Sequence, residues 1–528
     1  MSFLNGILSQ VQPTKLSFTG DDFMYILPEF IVLVTACLLV IVDLILPKKS
    51  RGGLAWLALL GYVGALAAAG YLYYADATIS HTTFSGMFVR DNFTLFNEII
   101  FLITGILGIL ISPTYSLKRK IPLGELYSIQ AFSVLGMMIV GGSGDLMAVF
   151  VGIELSSIAV YILTGFARND RGSAEGALKY FLLGIMATAI LVYGMAWTFG
   201  MTGSTNLREI GRQIASQHST SSNMDSGITF AMLLLLVGFG FKIAAVPFHV
   251  WTPDAYEGAP TPISAFMSVG PKAAGFAALI RVMVEGMPTL SNQWTIIIAV
   301  LAVLTMTLGN VVAIAQNSVK RMLAYSSIAH TGYIMVGVAA YVNSNGVDTN
   351  VARQNDSISS VLIYSLIYVF MNIGAFGILI YLQNQQGGAE VDDFNGLARW
   401  SPIAALAMAL CLFSLAGIPP TGGFFGKFFV FRAAINSNLL WLTIIGALNS
   451  AVSAFFYLRV VVAMYFNPQS EESKSKLVPT RSFFLTAALV IICVAILVLG
   501  LYPDPALKLA QDGATPLFQV VKAAAGQP

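Results

Sequence analysis

Apolar residues arrive along this chain in blocks of 20 or more, joined by short polar links. About 20 consecutive apolar residues let an α-helix cross the hydrocarbon core of a bilayer. A window of about 19 residues predicts fourteen such spans, near 24–46, 54–74, 93–112, 126–144, 146–166, 174–200, 228–246, 261–286, 294–316, 320–341, 358–384, 403–436, 440–466 and 482–503. Only the links 201–227 and 342–357 are long. The pattern predicts an all-α integral membrane protein.

Two spans are abnormal. Residues 403–436 would form a continuous helix of roughly 50 Å, against a core of about 30 Å, and Gly417-Ile418-Pro419-Pro420-Thr421-Gly422-Gly423 interrupts it. The seventh span runs through Lys242, then meets Pro247 and Pro253 before GAPTP opens the eighth. Proline removes an intrahelical hydrogen bond and crowds the preceding turn. Backbone groups freed at membrane depth are tolerated where protein or a water-filled cavity satisfies them. Paired interrupted helices point to a transporter core built from inverted repeats. A weak echo accompanies them: Ser156-Ser157-Ile158-Ala159 recurs as Ser326-Ser327-Ile328-Ala329, five spans later.

Lys and Arg favour the loops after odd-numbered spans: Lys48, Lys49, Arg51, Lys118, Arg119, Lys120, Arg168, Arg171, Arg399, Lys474, Lys476 and Arg481, with Lys320 and Arg321 opening the tenth span. Loops after even-numbered spans hold mainly Arg90, Arg208, Arg212 and Arg353. Because basic loops stay cytoplasmic, both termini are expected on the opposite side. The N-terminal MSFLNGILSQVQPTKLSFTG lacks a basic stretch followed by a compact apolar core, so targeting is expected from the first span.

Of the 528 residues, 56% are hydrophobic and 10% charged, with a net charge of +2. This balance implies no nucleic-acid partner; lipid surrounds the chain instead. Cys37, Cys411 and Cys493 lie far apart in apolar blocks without a CxxC, which predicts buried, inert thiols and neither a zinc site nor an iron–sulfur cluster. Gly422-Gly423-Phe424-Phe425-Gly426-Lys427 fails the phosphate-loop spacing and has Phe428 where a hydroxyl is required. No dinucleotide fingerprint follows a strand, so no redox cofactor is expected in this chain.

Ionisable groups inside spans are costly to insert and mark function. Glu154 lies nine residues after Asp145, a predicted helix start, about 13 Å into the fifth span. Lys179 lies near the start of the sixth span, Lys242 just before the seventh's break, and Lys427 just after the twelfth's. Lys272 lies about 16 Å into the eighth. Burial disfavours a charged amine and a nearby carboxylate favours it. A row of such groups joined by water can therefore pass protons stepwise, with Glu154 controlling the first lysine. Lys179 also fits a plain i,i+4 surface pair with Glu175. Arg281 and Arg459 are expected to snorkel from helix ends, and Glu29 and Asp43 to sit at the interface. His249, His330 and Lys320 are candidate relays, the histidines equally candidates for structural hydrogen bonds.

KIAAVPFHVWTPDAYEGAPTPISAFMSVGPK (242–272), NVVAIAQNSVKRMLAYSSIAHTGYI (310–334), LAGIPPTGGFFGKF (415–428) and LKYFLLG (178–184) together resemble the antiporter-like membrane subunits of complex I. The branch most resembled is subunit 2 of the cyanobacterial or plastid NAD(P)H–quinone oxidoreductase. The resemblance implies fourteen helices arranged as a three-helix segment (1–125), two inverted five-helix repeats (126–286 and 294–466), and a last span with a short tail (467–528). It implies no long lateral helix. Its proton path maps onto Glu154, Lys179, Lys242, Lys272 and Lys427. The KRMLAYSSI and GFFGK blocks look like those of a thylakoid assembly passing ferredoxin electrons to plastoquinone, with lumenal termini. Iron–sulfur clusters and quinone then belong to partner subunits, and other antiporter-like subunits are neighbours. A subunit of a sodium/proton antiporter and a non-pumping scaffold are the alternatives.

Overall fold

The computed structural model describes residues 20–47, 52–75, 80–217, 222–342, 351–385, 388–469 and 482–524. Lys48, Lys49, Arg51, Lys474, Lys476 and Arg481, from the charge asymmetry above, lie outside them, as does part of the 342–357 link. Each apolar block is helical. The helices are α1 (Leu27–Ile45), α2 (Leu54–Ala75), α3 (Asn92–Ile111), α4 (Leu123–Gly141), α5 (Leu146–Thr164), α6 (Arg171–Thr202), α7 (Leu207–Gln217), α8 (Ser222–Lys242), α9 (Trp251–Gly258), α10 (Thr261–Met267), α11 (Gly270–Arg281), α12 (Ser291–Ile314), α13 (Val319–Ala339), α14 (Val351–Gln385), α15 (Pro402–Ala416), α16 (Gly422–Asn436), α17 (Leu440–Tyr465), α18 (Phe483–Leu501) and α19 (Asp504–Ala524). One small hairpin, β1 (His81–Thr83) with β2 (Phe88–Arg90), lies between α2 and α3.

Helix starts are set by side chains that accept the otherwise unpaired first-turn N–H groups: Asp91 for Thr94, Asp145 for Met147, Asp170 for Gly172 and Ser318 for Arg321. Each such cap is worth about 1 kcal/mol. Among the described residues, eleven helical stretches are long and apolar enough to cross a bilayer. Of the apolar window of α14, 94% is buried, whereas α18 buries only 28%. An apolar helix that leaves most of its surface uncovered is stable against hydrocarbon and not against water. This is an integral, multi-pass membrane protein, and α14 is its central column, packed on by α3, α10, α13, α15, α16, α18 and α19.

Both predicted interruptions are present. The chain leaves α8 after Lys242, and Ala244 takes a φ of 60°. The freed groups find partners across the bundle: Thr331 Oγ1 donates to the Ile243 carbonyl at 2.9 Å, Val246 N–H to Thr305 Oγ1 at 2.9 Å, and the Trp251 indole to the Phe241 carbonyl at 3.3 Å. The second interruption separates α15 from α16 at Gly417, whose φ of 85° favours glycine. Gly423 N–H there donates to Ser414 Oγ at 3.0 Å. Pro247, Pro419 and Pro420 all lie in these breaks.

Three features differ from expectation. The eighth span is not one helix: α10 ends at Met267 and α11 begins at Gly270, because Pro271 cannot continue the hydrogen-bond ladder. The link 201–227 contains α7, whose buried Leu207, Ile210 and Ile214 form one apolar edge. The tail forms α19, which presents Ala506, Ala510, Ala514 and Leu517 inward at helical spacing and packs on α3 and α14. A hydropathy window does not detect such half-apolar helices.

Candidate functional site

Asp145 caps α5, which fixes Glu154 two and a half turns further along. Thr188 of α6 donates to Glu154 Oε1 at 2.8 Å. Lys242, the last residue of α8, reaches the same oxygen at 3.3 Å and donates to Ser157 Oγ at 2.9 Å. Its side chain is 8% exposed. Glu154 thus pairs with Lys242 in this structure. Lys179 lies elsewhere, 45% exposed, between Glu175 at 2.7 Å and Asp254 at 2.8 Å, and Asp254 also receives Arg321 at 3.1 Å.

Lys272 follows the break between α10 and α11. Its ammonium is buried, donates to Ser327 Oγ at 2.5 Å and to the Ser327 carbonyl at 3.0 Å, and lies 5.7 Å from the Tyr256 ring centre. No carboxylate pairs with it in an ion pair among the described residues. Gly275, one turn on, lacks a side chain where α11 passes Lys242, and a Cβ there would lie 3.4 Å from the Lys242 Cβ. The helix that carries Lys272 therefore packs directly against the Lys242 end of α8. The repeated Ser-Ser-Ile-Ala motif gains a physical meaning here, since Ser157 receives Lys242 and Ser327 receives Lys272.

His330 lies one turn beyond Ser327 on α13, almost fully buried. Its ring bonds Tyr364 OH at 2.8 Å through Nδ1 and Tyr457 OH at 3.2 Å through Nε2, and Tyr457 bonds Ser326 at 2.5 Å. Lys427, buried on α16, donates to the Ala416 carbonyl freed by the helix break, at 2.9 Å, and to Ser450 Oγ at 2.8 Å. Its ammonium lies 4.6 Å from the Tyr333 ring centre. A cleft of about 500 Å³ between α16 and α17 opens onto Lys427, lined by Phe424, Phe428, Phe431 and Ser450.

The result is a polar file through an apolar bundle: Glu154–Lys242, Lys272–Ser327, His330 with its two tyrosines, and Lys427–Ser450. Amines, an imidazole and hydroxyls can each both take up and release a proton. The file joins side chains from both helix breaks. Lys179 stands outside it, on the surface. His249 lies in the α8–α9 break with Nδ1 buried and unpartnered. Lys320 donates to the Glu257 and Ala259 carbonyls at 2.8 and 2.5 Å, so it closes the C-terminus of α9. Outside the spans nearby, burial and the carboxylates of Glu257, Asp393 and Asp392 raise Glu390 above the usual glutamate range.

Several charges are corrected by the structure. Arg281 does not snorkel: it is 0% exposed, forked onto Asp91 at 2.8 and 3.0 Å and paired with Glu285 at 2.9 Å. Arg459 turns inward to the Ile314 and Gln316 carbonyls and closes the C-terminus of α12. Glu29 and Asp43 lie near the two ends of α1 as expected, but neither faces outward: Glu29 is buried against Arg90 at 2.7 Å, and Asp43 is 8% exposed. The partners Asp91 of Arg281 and Arg90 of Glu29 were missed because nothing local in sequence announces pairing over 190 and 61 residues. Cys37 is exposed on the outer face of α1, contrary to expectation, while Cys411 is buried and Cys493 partly so. Among the described residues, no group of His, Cys, Asp and Glu is placed to hold a metal ion.

Residues 143–453 match the family described as NADH:quinone oxidoreductase/Mrp antiporter, TM. The NADH-quinone oxidoreductase subunit N of Trichlorobacter lovleyi is 45% identical over 500 residues, covering 94% of this chain and 97% of the relative. The protein of the same name from Chloroflexus aggregans is 41% identical over 501 residues, covering 94% and 98%. A chain of respiratory complex I from Thermus thermophilus, solved with bound aureothin, superposes with a TM-score of 0.74 at 30% identity, covering 92% of this chain and 99% of that one. A chain of the Mrp complex from Dietzia sp. DQ12-45-1b has a TM-score of 0.80 at 18% identity, covering 96% and 99%, a likeness of fold.

Proposed function

The chain belongs to the antiporter-like transmembrane family of NADH:quinone oxidoreductases and Mrp antiporters, on its subunit N branch, and from that premise we propose that it translocates protons in the membrane arm of an NADH–quinone oxidoreductase. The observation that carries this reading is the buried file of titratable groups held at two helix breaks. Protons move stepwise through Glu154, Lys242, Lys272, His330 and Lys427. Lys179 feeds the file from the surface: rotation of its long side chain away from Asp254 is the entry step. Quinone reduction and the iron–sulfur clusters reside in partner subunits, and this chain carries no redox centre of its own.

The finer architecture belongs to the same proposal. Fourteen spans form two inverted five-helix repeats over 126–286 and 294–466, flanked by 1–125 and 467–528. Two features support it: the break after Lys242 in the first repeat has a counterpart at Gly417 in the second, and Ser-Ser-Ile-Ala recurs at 156–159 and 326–329.

The relatives' names favour NADH as donor. The KRMLAYSSI and GFFGK blocks favour the ferredoxin- and plastoquinone-linked thylakoid form, with lumenal termini. The deciding experiment is purification of the native assembly through a tag on this chain, followed by mass spectrometry. Co-purifying iron–sulfur, quinone-site and NADH-binding subunits support the respiratory form; a ferredoxin-docking set in place of the NADH module supports the thylakoid form. Recovery of antiporter subunits alone would overturn both.

A further inference from the structure

Away from the lysine file, the N-terminal helices bury a second charged group that the proposed pathway does not use. Arg90, on β2, is clamped by three partners. Its Nε donates to the Tyr25 carbonyl at 2.6 Å, one terminal nitrogen to Glu29 of α1 at 2.7 Å, and the other to Glu98 of α3 at 2.5 Å. The side chains of Arg90, Glu29 and Glu98 are 4%, 8% and 0% exposed. One oxygen of each carboxyl group, Glu29 Oε1 and Glu98 Oε2, is buried with no hydrogen-bond partner among the described residues. The two carboxyl groups converge on the two terminal nitrogens of one guanidinium.

The charge does not balance. Two carboxylates meet one guanidinium, and the neighbouring guanidinium of Arg281 is already committed to Asp91 and Glu285. A buried, uncompensated carboxylate is costly, and a buried carboxylate oxygen without a donor adds to that cost. One proton on the pair removes both penalties: it neutralises the excess charge, and the O–H it forms supplies the missing donor. Two carboxyl groups that cannot both ionise share a proton in this way.

We infer that Glu29 and Glu98, held together by Arg90, form a proton-binding site separate from the lysine file. An access route is present. A small cavity lined by Tyr25, His81, Arg90, Asp91 and Asn92 adjoins the triad, and the partly exposed His81 stacks on Tyr25 and bonds its hydroxyl at 3.2 Å. Among the described residues, the titratable groups that line this cavity beside Arg90 are Tyr25, His81 and Asp91, with Arg281 beyond Asp91. The bound proton exchanges with solvent on the His81 side of the molecule.

The test is infrared spectroscopy of the purified full-length chain in lipid vesicles, with carbon-13 glutamate, titrated in H₂O and D₂O. The expected result is a protonated-glutamate carbonyl band at neutral pH that shifts in D₂O and disappears in both Glu98→Gln and Glu29→Gln. Each variant leaves one carboxylate against one guanidinium, so neither needs the proton. Glu98→Gln is also expected to keep the wild-type melting temperature, because an amide is the neutral isostere of the protonated acid. Persistence of the band in either folded variant overturns the inference. If the variants do not fold, wild-type protein still decides: absence of any exchangeable protonated-glutamate band across the titration overturns it, and a band that titrates with the pair supports it.

Discussion

Replacing Arg281 with Met should be among the most damaging single changes in the molecule. Its guanidinium is wholly enclosed and makes two bonds to Asp91, one to Glu285 at 2.9 Å and one to Thr94 Oγ1 at 3.0 Å. Asp91 and Glu285 are themselves 2% and 1% exposed. Methionine keeps most of the stem volume, so the packing loss is small. What remains is two buried carboxylates, of which Glu285 keeps only a looser pair with Arg208 at 3.6 Å and Asp91 has no other ion pair among the described residues. Removing one partner of a buried ion pair costs about 3–5 kcal/mol, a large share of the stability of a typical fold. Arg212→Met is the control: its pair with Glu209 is short, 2.6 Å, but 64% exposed on the arginine side, and such pairs are worth about 0–1 kcal/mol. The assay is equilibrium unfolding of the purified chain in detergent, followed by tryptophan fluorescence. The triple variant Arg281→Met, Asp91→Asn, Glu285→Gln, which leaves no bare charge, should recover part of the loss. A single variant within about 1 kcal/mol of wild type, or a triple variant less stable than the single, would refute the reasoning.

Two further outcomes follow from the same geometry. Gly423→Ala should block close packing of the twelfth-span break, because the new Cβ would collide with the Ser414 backbone carbonyl, which cannot swing aside; the expected cost is about 1–3 kcal/mol, read as a lower midpoint in the same unfolding assay. Glu390→Gln should raise the melting temperature near neutral pH and leave it unchanged at low pH. Glu390 carries a raised pKa from burial and from Glu257, Asp393 and Asp392, so its protonated form is favoured on folding. That stabilisation is complete below the unfolded value of about 4.3 and is lost as pH rises through the folded value. A glutamine variant that melts with the wild-type pH profile contradicts this.

The helices themselves were legible because hydrocarbon imposes a simple rule of length and composition. So were the breaks in the seventh and twelfth spans, where Pro247, Pro419 and Pro420 forbid continuous helix. The same logic applied to Pro271 would have divided the eighth span. Lysines 272 and 427 were legible as buried because each lies well inside a predicted span, and Lys242 because a helix break follows it at membrane depth. Their partners were not. Ser157 lies 85 residues from Lys242 and Ser327 lies 55 from Lys272, and only the fold brings them together. Arg281 was misread although Glu285 stands four residues on, because its forked partner Asp91 lies 190 residues away. Lys179 illustrates the converse, since its i,i+4 partner Glu175 was visible locally while Asp254, 75 residues on, was not. Helices α7 and α19 escaped because only one face of each is apolar.

The central claim is that protons cross through the lysines held at the helix breaks. It is tested most directly by counting protons per electron in liposomes that contain the whole assembly, with Lys242→Ala in this chain and subunit content checked by mass spectrometry. Loss of the pair with Glu154 at 3.3 Å should interrupt the file near its beginning, so fully assembled variant complexes should move fewer protons per electron than wild type. An unchanged proton-to-electron ratio in such complexes would contradict the claim.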